Sequence, residues 1–443
     1  MTARGGRARG SGGASGGAWD GAARARALDS ADPLASLRDS FHIPENALYF
    51  DGNSLGLLSR EGESALLRAL DEWRRLGVRG WFSGEPPWIE WGARLGARVA
   101  PLIGAGADEV VVTGSTTVNL HHLVATLYQP RDERDVVVAS ALEFPSDLHA
   151  LRGEIALRGL DPNRCLRLVR SVDGRTIADQ DLESAIGEDV AVVVLSHALY
   201  KSGQLLDAAR ITRLAQDRGA LVGWDLSHSI GVVPVGLDEW GADFAVWCHY
   251  KYLNAGPGAI AGLYLARPHH RSAPALPGWW GQEPRAMFGM RAEHAPAPDA
   301  RAWQIGTIPV LSAAPLWGSL EVIERAGIGR IREKSLGLTS FLIECVERSG
   351  TAPGGGLAIG TPREPERRGG HVALEHPGQA GRIRSALLRR GVVTDFRPPD
   401  VIRFTPSPLT TRYRDVWDAI AVLAEVLTGE LWREEPEDAG RLG

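Results

Sequence analysis

Between residues 109 and 265 the chain alternates short, wholly apolar runs with longer stretches of helical periodicity. The runs are EVVVT at 109–113, DVVVAS at 135–140, CLRLV at 165–169 and VAVVVLS at 190–196. ALVGWD at 220–225, FAVWC at 244–248 and AGLYL at 261–265 complete the set. Runs this rich in valine, with no polar residue at every second position, predict strands covered on both faces. That is the pattern of a mostly parallel sheet wrapped by helices. The order strand, helix, strand predicts an α/β domain.

Other segments frame this core. Helical periodicity covers about Glu61 to Leu76, followed by an aromatic loop, GWFSGEPPWIEWG, and more helix to about Ile103. After Pro315 the pattern changes to one long helical stretch. A Gly/Pro/Arg-rich loop follows at 352–370. Two strand candidates, HVALE and VIRFTP, then flank the helix AGRIRSALLRRG, which predicts a small C-terminal α+β domain. The expected organisation is a disordered tail over 1–26, an N-terminal segment over 27–70, a large domain over 71–312 and a small one over 313–443.

Composition narrows the class. The chain has 443 residues, enough for two cores, and a formal net charge of -5. That charge gives no reason to expect nucleic acid or an anionic membrane as partner. No apolar run approaches bilayer length. The Gly/Arg-rich start lacks the apolar core of a secretory signal. Cys165, Cys248 and Cys345 are far apart and form no metal-ligand spacing, so the expectation is a cytoplasmic protein without a metal site.

Lysine usage carries the chemistry. Arginine supplies nearly all basic charge, and only Lys201, Lys251 and Lys334 are lysines. A lysine amine can lose its proton and form a Schiff base, which a guanidinium cannot. Lys334, in the charged segment IREKS, fits a surface residue; Lys251 follows an apolar run. Asp225 ends the preceding run, where it is either a helix cap or a ligand's charge partner. Two consecutive strands thus bring an acid and a lysine to one sheet edge, where ligands of doubly wound sheets bind. An acid facing a pyridine nitrogen and a Schiff-base lysine are what pyridoxal phosphate requires. TGSTTVNLHH places Thr116 and Thr117 between a strand and a helix, where they either cap the helix or bind a phosphate. Phe144 and Asp147 in EFPSD are either a flat-ring contact and its hydrogen-bonding partner, or a core phenylalanine and a turn aspartate. His121 and His122 read as packing residues. The Trp279–Trp280 pair, after Pro277 and Gly278, is either an exposed anchor or a site wall.

YFDGNSLGLL, STTVNLHHL, EFPSD, DLSHSIG, HYKYLNAGPG, PGWWG, QIGTIPVLS and IRFTPSPL, in this order, resemble the kynureninases. These are pyridoxal-phosphate enzymes of fold type I, in the subgroup that includes cysteine desulfurases. The resemblance runs from about Tyr49 to Pro408. It implies Lys251 as the Schiff-base lysine, Asp225 at the pyridine nitrogen, and Thr116, Thr117, Ser196 and Tyr250 as phosphate or cofactor contacts. It implies Phe144 stacked on the ring with Asp147 beside it, and His228 on the cofactor side. Tyr250 is also the candidate proton donor. Trp279 and Thr307 match positions that reach the neighbouring subunit's site, which implies a homodimer with shared sites. Arg403 matches the arginine that grips the substrate carboxylate. The implied reaction is hydrolysis of L-kynurenine, or of its 3-hydroxy form, to the corresponding anthranilate and L-alanine, in tryptophan breakdown or NAD synthesis. A desulfurase-like enzyme, which would need a mobile nucleophilic cysteine, and a non-catalytic cofactor-binding protein are the alternatives. Three features depart from the family pattern: loop 80–91 lacks a histidine, Gln282 stands where histidine is common, and Thr307 replaces asparagine.

Overall fold

The computed structural model describes residues 19–131, 133–349 and 356–436. Most of the expected tail, and part of the expected loop at 352–370, lie outside the described residues. The last part of that tail is helical, which corrects its extent. Gly21–Ser30 is a helix, and the Asp20 carboxylate accepts from the Ala23 amide at 2.8 Å as its N-cap. Its small residues let it lie flat: a Cβ on Gly21 would stand 2.2 Å from the Trp417 ring. The Gly/Ala/Arg composition therefore hides a packing face against the helix Tyr413–Thr428.

In chain order the strands are β1 (Leu48–Tyr49), β2 (Val110–Val112), β3 (Val136–Ser140), β4 (Leu166–Val169) and β5 (Val190–Ser196). Then come β6 (Leu221–Asp225), β7 (Phe244–Trp247) and β8 (Gly262–Leu265). The C-terminal region adds β9 (Ala358–Ile359), β10 (Val372–Glu375), β11 (Val392–Val393), β12 (Asp395–Arg397) and β13 (Val401–Phe404). β2 to β8 form one sheet in the order β2-β8-β7-β6-β5-β3-β4. The β3, β4, β5, β6 and β7 pairings are parallel, and β8 runs antiparallel to both β7 and β2. β8 is reversed because no helix separates it from β7. The intervening loop carries Lys251 instead of a crossover.

Both faces of this sheet are buried, as the unalternating valine runs require. Val138, Leu195 and Trp224 belong to one core and Val137, Val192 and Phe244 to another. Each fully buried apolar side chain of this kind contributes roughly 1.5–3 kcal/mol. Helix Val310–Ala326 runs across the expected 312/313 boundary, and its Ala313, Leu316 and Leu320 lie in the large sheet's core. It also packs on helix Arg60–Leu76. The chain breaks at Gly327, whose φ of 74° ends that helix, and helix Ile328–Arg348 continues into the second core. There Phe341, Leu374, Ile402, Phe404 and Ile420 pack with Phe50 from the N-terminal segment.

That segment ties the two cores together. β1 pairs in parallel with β11, and Asp51 bridges to Thr405 beyond β13. Lys334 is not the surface residue expected: its amine meets Asp32 at 2.7 Å and is almost wholly buried. An ion pair explains why that charge is tolerated inside. Among the described residues no helix is long and apolar enough to cross a membrane.

Candidate active site

The parallel strands deliver their carboxyl ends to one edge of the sheet. Ser196 ends β5 directly opposite Asp225 at the end of β6. Lys251 follows β7, and helix Thr116–Leu127 begins just after β2. Residues 51–56 close over this edge. The Gly56 amide donates to the Tyr250 carbonyl at 2.8 Å. A Cβ there would stand 2.3 Å from the Lys251 carbonyl oxygen, so only glycine permits the approach.

A cavity of about 300 Å³ results. Lys251, His228, Asp225 and Tyr250 line it, as do Ser196 and Asp147. Thr116, Thr117 and Phe144 complete the expected residues that meet there. Lys251 Nζ lies 2.9 Å from His228 Nε2. Burial, and then the Lys251 charge, hold the His228 imidazole well below its usual range, so it is neutral and can accept from the amine. Asp225 accepts from the Ser227 amide at 2.7 Å. Burial pushes the Tyr250 hydroxyl up, which keeps its proton in place.

Acid is concentrated beneath the cavity. Asp147 lies beside Asp225, and burial, then the charge of Asp225, raise its carboxyl well above the usual range. Glu143 accepts from the Ser196 amide at 3.0 Å and from the Ser196 hydroxyl. Burial pushes the Glu143 carboxyl up to about 8. Asp147 Oδ2 and Glu143 Oε1 are buried with no hydrogen-bond partner among the described residues.

Not every expected residue reaches this cavity. Trp279 and Thr307 are exposed and line none of it within one chain. Trp279 instead donates to the Met287 carbonyl at 2.8 Å and packs on Trp280 and Phe288. Arg403 is fully buried behind the wall, bonded to the Tyr200 carbonyl, Ser54 and Asp395. Asn53, Ser54, Tyr200 and Arg397 line the cavity and were not singled out from sequence. Asn53 and Ser54 lay in a recognised motif, DGNSLG. Tyr200 and Arg397 carry no local signal. Ser115, by contrast, caps its helix through a weak bond to the Val118 amide at 3.4 Å. His121 bonds Glu154 at 2.7 Å and His122 is buried against Trp303, as packing residues would be.

Pyridoxal phosphate fits these donors. A helix N-terminus with two threonines suits its phosphate. Excess buried carboxyl calls for a cationic ring nitrogen, and Lys251 supplies the amine.

Known proteins agree. The model described as "Aminotransferase class-V" matches residues 93–375, and "Kynureninase C-terminal domain" matches 331–423. Kynureninase of Geobacillus thermodenitrificans is 47% identical over 93% of this chain and 95% of its own length. That of Bacillus anthracis is 45% identical over 92% and 94%. Two solved structures share the fold. An apo cysteine desulfurase from Thermococcus onnurineus superposes with TM-score 0.76 at 20% identity, over 89% of this chain and 98% of that one. A C-DES mutant with glycine covalently linked to its PLP cofactor also gives 0.76, at 18% identity, over 88% and 99%. With most of its length matched at this identity, and with the acid–lysine pair in one cavity, the chain belongs to the kynureninase family of pyridoxal-phosphate enzymes.

Proposed function

We infer that the protein hydrolyses the bond between the β and γ carbons of L-kynurenine. Water adds its oxygen to the γ-carbonyl carbon, which leaves as the carboxylate of anthranilate. The β carbon takes a proton and leaves as L-alanine. The observation that carries this reading is the single cavity holding Lys251 and Asp225 in a chain 47% identical to a kynureninase.

The cofactor, when bound, supplies an electron sink for negative charge at the substrate's α and β carbons. The chain's own residues do the rest. Lys251 moves the proton at the α carbon, and neutral His228, 2.9 Å away, receives a hydrogen bond from its amine. Asp225 is the charge partner of the ring nitrogen, with Asp147 beside it. Thr116 and Thr117 hold the phosphate end, Ser196 contacts the cofactor beside Asp225, and Phe144 covers a ring face. Tyr250 keeps its proton and is the donor to the leaving fragment. Arg403 forms the base of the carboxylate subsite.

We further read the protein as a homodimer in which Trp279 and Thr307 complete the neighbouring site. Phe82, Trp279 and Phe288 are exposed and in ring contact, with Met290 and Val78 exposed too. Exposed apolar surface of this extent supports a second copy as its cover. A cytoplasmic setting is supported by three cysteines without disulfides, all buried. Their burial also disfavours a desulfurase-like reaction.

The test is to supply L-kynurenine and 3-hydroxy-L-kynurenine to the holoenzyme and measure both products. One alanine for each anthranilate or hydroxyanthranilate supports the reading. Alanine without the aromatic acid would overturn it.

A further inference from the structure

We propose that Arg397, a residue with no assigned role, makes the outermost contact to the substrate's α-carboxylate, with Asp395 fixing its guanidinium beside Arg403. The proposal rests on the reading above that the substrate is an α-amino acid.

The two arginines come from adjacent strands. In the β12–β13 register Asp395 faces Arg403 and Arg397 faces Val401. Asp395 Oδ2 accepts from Arg397 Nε at 2.8 Å and also from Arg403 Nη2. One carboxylate oxygen thus ties down both guanidiniums. Their remaining donors differ. Arg403 has engaged both terminal nitrogens with protein: Nη1 donates one N–H to the Tyr200 carbonyl at 2.7 Å, and Nη2 donates to Asp395 and to Ser54 at 3.3 Å. Only its buried Nε lacks a partner. Its side chain is 1% exposed, whereas that of Arg397 is 18% exposed and lines the Lys251 cavity. The terminal nitrogens of Arg397 form no hydrogen bond with any described residue.

Charge leads to the same place. Two guanidiniums share Asp395 as their one directly bonded carboxylate. Arg397 carries its positive charge to the cavity, whose lining also includes Phe144 and Lys251. A planar fork with two free N–H groups there matches a carboxylate in shape and charge. The cofactor phosphate is the competing anion, but the helix start at Thr116 and Thr117 already provides its seat.

The test compares L-kynurenine with kynuramine, the same molecule without its carboxylate, on the wild-type holoenzyme, Arg397→Gln and Arg397→Lys. Losing a charge-assisted bond should lower kcat/KM for kynurenine on the order of 10- to 100-fold in Arg397→Gln, with a partial loss in Arg397→Lys. Inhibition by kynuramine and the affinity for pyridoxal phosphate should stay at wild-type values. Parallel loss of kynuramine binding would place Arg397 on another part of the substrate. Weakened cofactor binding would place it on the phosphate. Unchanged kynurenine kinetics would remove it from the site. Each of these overturns the proposal. If the wild type does not cleave kynurenine, the reading itself fails. Absorbance titration with L-alanine against ethylamine then decides the Arg397 contact: the variants must lose alanine affinity alone.

Discussion

The carbonyl oxygen of Lys251 lies 2.3 Å from where a Cβ on Gly56 would stand. The N-terminal loop therefore rests directly on the backbone that presents the lysine. Asn254 Oδ1, in the same turn, is also 2.3 Å from that point. Gly56→Ala should cost about 1–3 kcal/mol of stability, as overpacking does. It should also lower kynurenine turnover by displacing the lysine. Thermal unfolding and steady-state kinetics measure both. A variant with the wild-type melting temperature and turnover would show that the loop does not position Lys251.

Glu143 should make stability depend on pH. Its carboxyl titrates near 4.5 when free and is pushed up to about 8 by burial. Between those values the folded state holds a proton that the unfolded chain has lost. Stability thus falls as pH rises from about 4.5 to about 8 and levels off above. Glu143→Gln keeps an acceptor for Ser196 and cannot ionise. In the cofactor-free protein its melting temperature relative to wild type should climb steadily across that range. A difference that does not change with pH would mean that Glu143 ionises freely in the folded state.

Shared sites predict complementation. Trp279→Ala should be badly impaired, because the residue lies outside its own cavity and would act on the neighbour's. Mixing it with Lys251→Ala, with subunit exchange verified by mass, should restore part of the activity through hybrid dimers. Exchange with no recovery speaks against Trp279 acting in trans.

The apolar runs made all seven strands of the large sheet legible, because burial on both faces removes the polar alternation that would blur them. Reversal of β8 was not legible, since direction depends on what connects the strands. The two-residue β9 and three-residue β12 were missed for want of length, and with β12 went Asp395 and Arg397. Lys251 and Asp225 stood out because two successive strands carry them to one edge. Arg403 stood out only through its motif. Its commitment to Tyr200, Ser54 and Asp395 is tertiary and has no local trace. Helix Gly21–Ser30 was concealed by its small residues, whose value is apparent only beside Trp417.

Lys251 as the residue that carries the cofactor is the claim on which everything else depends. Purified holoenzyme, reduced with borohydride and digested, should yield one peptide bearing the reduced cofactor, with the mass increment on Lys251. The same treatment of Lys251→Ala should leave no fixed cofactor. A label on Lys201, or on Lys334 in its ion pair with Asp32, would contradict the account.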